Sequence, residues 1–269
     1  MSIRHYDFSD IVELQGIIKV SAQSTLLAYF KQSTATYKND GSIVTEADIA
    51  MHEVMGKALR HSYPGVALLS EELTEQEQSE VIRSGLDYWC LDPVDGTNNF
   101  HATLPLFSVS LALVCANEIV LGVIYDPMRE EFFSSVKGQG MWVNSQPLQR
   151  PVQPDSVKRS IAFVDFKRLP LDIKLRLVSQ TPYMCQRNLG SCALEWAWLA
   201  AGRVQLLLHG SEKYWDYAAG FLILNEAGGM SQTIEGESVF VEALVSRSVI
   251  ATSNTELFQS WSDWIRSIE

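Results

Sequence analysis

The chain has 269 residues, a 46% hydrophobic and 20% charged composition and a net charge of −11. That balance excludes a disordered chain, a collagen-like chain and a disulfide miniprotein. The acidic excess argues against binding to a nucleic-acid backbone, which is held by a basic surplus.

Residues 9–31 place Ile11, Leu14, Ile17, Ile18, Leu26 and Leu27 at helical spacing, which predicts a first helix. Residues 46–62 read as a second, opened by Thr45 and Asp48 in capping-box spacing. Short apolar runs at Val66–Leu69 and Tyr88–Leu91 predict strands, the second of them stopped by Pro93. Longer strands follow at 106–116, 120–125 and 131–136, with a turn at Asp126-Pro127. Gln153–Val157 resembles a linker. Beyond it come strands near 160–164, 184–187 and 204–208, and helices near 170–179, 192–201, 215–227 and 255–267. The expected architecture is an N-terminal α+β half over 1–150 and a C-terminal α/β half over 151–269, packed in layers as one unit.

The N-terminus lacks a signal-peptide pattern, and no run of 18 apolar residues predicts a membrane span. The four cysteines have no Cys-x-x-Cys spacing, which points to buried thiols and a cytoplasmic protein.

Three acidic places stand out. In Asp92-Pro93-Val94-Asp95-Gly96-Thr97-Asn98-Asn99-Phe100, two carboxylates follow directly on a buried strand. They repel unless a cation lies between them, and Mg²⁺ takes such oxygen ligands. The Val94 carbonyl is a further candidate ligand, and the Gly96 and Thr97 amides can face an anion. In Val66-Ala67-Leu68-Leu69-Ser70-Glu71-Glu72, a second apolar run enters acid. In Tyr214-Trp215-Asp216-Tyr217-Ala218-Ala219-Gly220, Asp216 stands near a helix start. Each alone fits a capped turn or a solvated face.

Together these segments resemble the inositol monophosphatase family. Asp92 through Phe100 resembles the family's first signature, and Trp215 through Gly229 its second. Ser70-Glu71-Glu72 resembles its upstream acidic site, and Lys38 through Asp48 its N-terminal motif. Gly122 through Pro127 and Gly190 through Leu194 match further landmarks, so the likeness spans residues 10–255 in order. The resemblance implies a layered α/β/α/β/α sandwich and hydrolysis of a phosphomonoester by water. It implies two or three Mg²⁺ ions held by Glu71, Asp92, Asp95, Asp216 and the Val94 carbonyl. Thr97 and Glu71 would orient the attacking water, with Asp48 behind Thr97. Asp95, Gly96, Thr97, Gly190, Ser191 and Cys192 would face the substrate, and a homodimer is the expected assembly. Cys192 is expected to be no nucleophile, for want of a histidine partner. Lys167 and Arg168 are expected to be a solvated loop pair.

One departure bears on substrate. Inositol-selective members carry Glu seven residues before the second-signature Asp, where this chain has His209, with Glu212 the nearest acid. The implied substrate is inositol monophosphate or a similar small sugar or polyol phosphate. Fructose 1,6-bisphosphate, histidinol phosphate and 3′-phosphoadenosine 5′-phosphate are the alternatives. A regulatory role in an RNA-linked complex is the rival of a different class.

Overall fold

The structure, a computed structural model, describes residues 6–32, 34–37, 43–241 and 243–267. The part of the N-terminal motif from Lys38 to Ser42 lies outside the described residues.

The first half begins with α1 (Phe8–Ser24) and α2 (Leu26–Tyr29), then β1 (Ala35–Tyr37) antiparallel to β2 (Ile43–Thr45), then α3 (Glu46–Ser62). The long helix expected over 9–31 is thus broken at Thr25, whose backbone leaves helical geometry with ψ −79°. The start of α3 follows the sequence closely. Asp48 accepts from the Thr45 amide at 2.8 Å, and both hydrogen bonds of a capping box form.

Next come β3 (Ala67–Ser70), α4 (Glu75–Arg83), β4 (Tyr88–Asp95) and α5 (Thr97–His101). They are followed by β5 (Ser108–Cys115), β6 (Glu118–Asp126), β7 (Glu131–Val136), β8 (Met141–Val143) and β9 (Gln146–Pro147). Strands β3 to β9 form a seven-stranded sheet in chain order, with β3 and β4 parallel and the rest antiparallel. The strand beginning at Tyr88 does not stop at Pro93. Asp92 pairs with Ser110 and Asp95 with Ser108, so three steps on β4 match two on β5. The proline falls inside this bulge, where its missing amide breaks no regular pair.

The second half holds β10 (Ile161–Val164), α6 (Leu171–Ser179), β11 (Cys185–Arg187), α7 (Cys192–Ala200) and β12 (Leu206–Glu212). It ends with α8 (Tyr214–Glu226), β13 (Met230–Gln232), β14 (Arg247–Thr252) and α9 (Thr255–Arg266). Its sheet has the order β11-β10-β12-β14-β13. Only β10, β11 and β12 are parallel; β14 runs against β12 and β13. Among the described residues no helix is long and apolar enough to cross a membrane, and all four cysteines are free.

Alternation along the strands builds the layers. Leu91, Leu111, Leu113 and Val123 turn toward Ile11, Leu14, Ile18, Met51 and Met55 of α1 and α3. Cys90, Ala112 and Val114 turn the other way, onto Trp196, Leu199, Tyr217 and Leu224 of α7 and α8. Phe163, Leu207, Val249 and Ala251 of the second sheet close the same layer from behind. Their neighbours Ala162, Val164, Leu206, Leu208 and Ile250 pack instead on Ile173, Leu177, Trp261 and Ile265 of α6 and α9. The result is the α/β/α/β/α sandwich. Small residues let its central layer close up: a Cβ at Gly122 would lie 3.0 Å from the Ala219 carbonyl, and one at Gly220 would lie 2.4 Å from Trp196 Cβ.

Candidate active site

The site lies where β4 ends, between the two sheets. Asp92 is buried, and its Oδ1 accepts the Val94 amide at 3.0 Å across the bulge. Gly96 then turns the chain with φ 95°, and α5 begins at Thr97. A Cβ at Gly96 would come within 3.0 Å of the Leu106 carbonyl and 3.2 Å of Ser191 Cβ, so both backbone angle and space call for glycine. Thr97 Oγ1 lies 3.0 Å from Asp48 Oδ1 and 3.0 Å from the Val94 carbonyl.

Asp95 reaches across to the second half. Its Oδ1 accepts the Cys192 amide at 3.0 Å, and its Oδ2 accepts the Ala193 amide at 2.9 Å, the Ser108 hydroxyl at 3.1 Å and the Ser191 hydroxyl. Those amides open α7, so Asp95 caps that helix from another element and meets the positive end of its dipole. Asp216 is the third residue of α8, and its Oδ2 accepts the Lys213 amide at 2.8 Å.

Oxygens of Asp92, Asp95 and Asp216 lie within 4.8 Å of one another. Burial pushes the Asp216 carboxyl up to about 8, with Asp95 and Glu71 adding to the rise. Burial also raises Asp95 to about 6 against the pull of its hydrogen bonds. Asp92 goes well above the carboxylate range through burial, then through Glu71, Asp95 and Asp216. Three acids at this spacing, two of them buried and the third half-buried, need protons or a cation between them. The donors are all carboxylate oxygens, which suits a hard divalent ion. Glu71 lies just beyond β3 with its Oε1 3.7 Å from Lys213 Nζ, on the same wall but outside the close trio.

A cleft of ≈ 370 Å³ gathers these groups. Glu71, Asp92, Val94, Asp95, Gly96, Thr97, Gly190, Ser191, Cys192 and Asp216 all line it. Asp48 does not; it stands behind Thr97, raised to about 6 by burial.

The cleft also holds groups that the motifs did not reveal. Lys167 and Arg168 line it and are not a purely solvated pair. Arg168 Nη1 donates to Asp165 Oδ2 at 3.0 Å. His209 Nε2 lies 2.9 Å from that same oxygen. Burial alone would raise Asp165, but hydrogen bonds from His209 and Arg168 hold it well below the usual carboxylate range. Cys192 does have a histidine neighbour: its Sγ lies 3.9 Å from His209 Nε2. Burial nevertheless pushes its thiol far up, with Glu212 and Asp216 next in effect, so no activated thiolate results. Glu212 does not line the cleft; it is buried, with Oε2 accepting Trp196 Nε1 at 2.7 Å. Asp165 gave no sequence signal beyond being an acid two residues before Lys167.

The sequence profile of the inositol monophosphatase family matches residues 11–263. The chain belongs to that family. Among its relatives, "Nus factor SuhB" of Escherichia coli (strain K12) is 34% identical over 210 residues, covering 75% of this chain and 76% of the relative. "Inositol monophosphatase 1" of Solanum lycopersicum is 31% identical over 200 residues, covering 72% and 73%. A solved structure described as "IMPase/NADP phosphatase complexed with Mg2+ and phosphate" superposes with a TM-score of 0.80 at 22% identity, covering 98% of this chain and 95% of that one. At that identity the last likeness speaks for the family fold alone.

Proposed function

We propose that this family member is a Mg²⁺-dependent phosphomonoesterase acting on inositol monophosphate or a similar small sugar or polyol phosphate, with water as nucleophile. The carrying observation is the trio Asp92, Asp95 and Asp216, whose oxygens lie within 4.8 Å of one another at the cleft. The 31% likeness to a relative named as inositol monophosphatase 1 supports the same reading.

The four carboxylates Glu71, Asp92, Asp95 and Asp216, with the Val94 carbonyl, would hold two or three ions. When bound, these ions supply acidification of the attacking water and charge neutralisation at the leaving oxygen. The protein groups do the rest. The Thr97 hydroxyl can donate its one proton to Asp48 or to the Val94 carbonyl, which leaves its lone pairs for a water proton. Glu71 would be the second group on that water. The Gly96 and Thr97 amides would hold phosphate oxygens, and an ester's alcohol part would lie along Gly190, Ser191 and Cys192. His209 stands where inositol-selective members carry Glu, and Asp165 ties it to Arg168 at the cleft, so these groups bear on which alcohol is preferred. We treat residues 1–150 and 151–269 as the two halves of one catalytic unit, because Asp95 and Asp216 come from either side of residue 150. The assembly expected from the family is a cytoplasmic homodimer.

The test is Mg²⁺-dependent phosphate release over a panel of phosphomonoesters, with wild type and Asp92→Asn. Release that needs Mg²⁺ and is lost in the variant supports the reading. Release by neither protein on any ester would favour a second reading, drawn from the 34% likeness to a protein named as a Nus factor. In that case the chain would act by assembly, and its charge of −11 suits a protein partner better than a nucleic acid.

A further inference from the structure

Behind the wall of the cleft, Cys192, His209 and Glu212 form a second group of donors. One donor atom from each lies within 4.8 Å of the other two. Cys192 opens α7, while His209 and Glu212 stand on β12 on either side of a register shift. In a regular strand, residues three apart face opposite sides. Here the irregularity brings both side chains together, with His209 Nδ1 3.8 Å from Glu212 Oε1.

The hydrogen bonds fix the histidine tautomer. The Ser211 amide donates to His209 Nδ1 at 3.2 Å, so Nδ1 carries a lone pair. The ring proton is then on Nε2, 2.9 Å from Asp165 Oδ2. Glu212 is fully buried, and its Oε1 has no hydrogen-bond partner among the described residues. Nδ1 and Glu212 Oε1 thus lie across a gap too long for a hydrogen bond, and a cation entering it would take the Nδ1 lone pair over from the Ser211 amide. A buried carboxyl oxygen left without a hydrogen-bond partner is costly, and a ligand that meets it recovers that cost.

We propose that Cys192, His209 and Glu212 bind a thiophilic divalent cation of the zinc type, at a site separate from the carboxylate trio. Sulfur, imidazole nitrogen and carboxylate oxygen form a donor set that favours Zn²⁺ or Co²⁺ over Mg²⁺. Donors around a tetrahedral ion with bonds of about 2.0–2.3 Å stand about 3.5 Å apart, which small side-chain shifts reach from the present spacing. Asp165 on the far ring nitrogen completes the carboxylate–histidine–metal arrangement that orients such ligands. Burial keeps both the Cys192 thiol and the Glu212 carboxyl protonated, so binding forms a sulfur–metal and an oxygen–metal bond and releases both protons to solvent, with no change of oxidation state. Cys192 and His209 line the cleft, so the ion reaches the site from there. Occupancy is inhibitory, because the Cys192 amide also holds Asp95 and His209 braces Asp165 and Arg168. Only this inhibition, and not the binding, rests on the phosphatase reading.

The test is a Co²⁺ titration of the intact protein under saturating Mg²⁺. It is followed by the near-ultraviolet thiolate-to-cobalt charge-transfer band and the visible bands of tetrahedral Co²⁺. One Co²⁺ per chain, displaced by Zn²⁺, is expected. Cys192→Ser should abolish the charge-transfer band. Glu212→Gln keeps an acceptor for Trp196 and should weaken Co²⁺ binding at least tenfold. Circular dichroism confirms that each variant folds. Absence of the band, its persistence in Cys192→Ser, or unchanged affinity in Glu212→Gln would overturn the proposal.

Discussion

The Asp95 carboxylate receives the Cys192 amide at 3.0 Å, joining the end of the first sheet to the first residue of α7. One side chain thus caps a helix of the second half and faces Asp92 and Asp216 in the acidic trio. Asp95→Asn keeps the shape but turns a donor toward backbone donors. Hydrogen bonds to a charged group contribute about 1.5–3 kcal/mol each, so losing one shifts an equilibrium by roughly tenfold or more. The Mg²⁺ concentration for half-maximal activity should rise at least about tenfold. Ser191→Ala, which removes one neutral donor to the same carboxylate, should shift it less. Equal Mg²⁺ dependence in all three proteins would refute the coupling of cap and metal site.

Burial, and after it the neighbouring acids Glu71, Asp95, Asp216 and Asp48, push the Asp92 carboxyl well above its usual range. Asp92→Asn should abolish phosphatase activity while raising the melting temperature of metal-free protein at alkaline pH, where the side chain it replaces would be forced to ionise beside other acids. A variant that loses both activity and stability would show that Asp92 serves packing instead.

Thr97 Oγ1 lies 3.0 Å from Asp48 across 49 residues of chain. A water-orienting hydroxyl matters chiefly in the transition state. Thr97→Ala should therefore lower kcat by about 10²–10⁴-fold, the usual worth of general-base assistance, with little change in KM. A change confined to KM would mean that Thr97 holds substrate rather than water.

The metal-free protein should lose stability with rising pH. Asp216 has its folded-state pKa raised from 3.8 to about 8, and Asp95 and Asp48 are raised from 3.8 to about 6. In each case the folded state binds the proton more tightly than the unfolded state. Their stabilising protonation is complete below the unfolded values and is lost as pH rises through the folded ones. Melting temperature in chelator should fall between about pH 4 and pH 8, and Mg²⁺ should reverse most of the fall at the upper end. A chelated protein that grows more stable over this range would contradict the burial of the trio.

Gly220 faces Trp196 with no room for a methyl group. Overpacking of this kind costs typically about 1–3 kcal/mol. Gly220→Ala should lower the melting temperature by several degrees, since each kcal/mol is worth about 2–4 °C at this chain length. An unchanged melting temperature would show that α7 and α8 separate freely.

Features that depend on near neighbours could be read directly from the chain. Thr45 and Asp48 are three residues apart, so their capping box is a local event, and α3 forms over the expected residues. Acidic residues after apolar runs marked Glu71 and Asp92, a helix start marked Asp216, and the two long signatures marked the family. Pro93 misled because its missing amide stops a regular ladder, whereas here a bulge set by pairing with β5 absorbs it. The direction of β14 was equally beyond reach, since a strand's sense depends on which neighbour it meets. The acidic trio and the group of Asp165, Arg168 and His209 belong to tertiary structure. Asp165 follows β10, His209 lies on β12, and parallel pairing of those strands brings the two side chains within 2.9 Å. No spacing along the chain encodes that distance. It arises because alternate residues of both strands must bury their apolar side chains on the same two faces, which fixes register and carries the polar ends to one edge of the sheet.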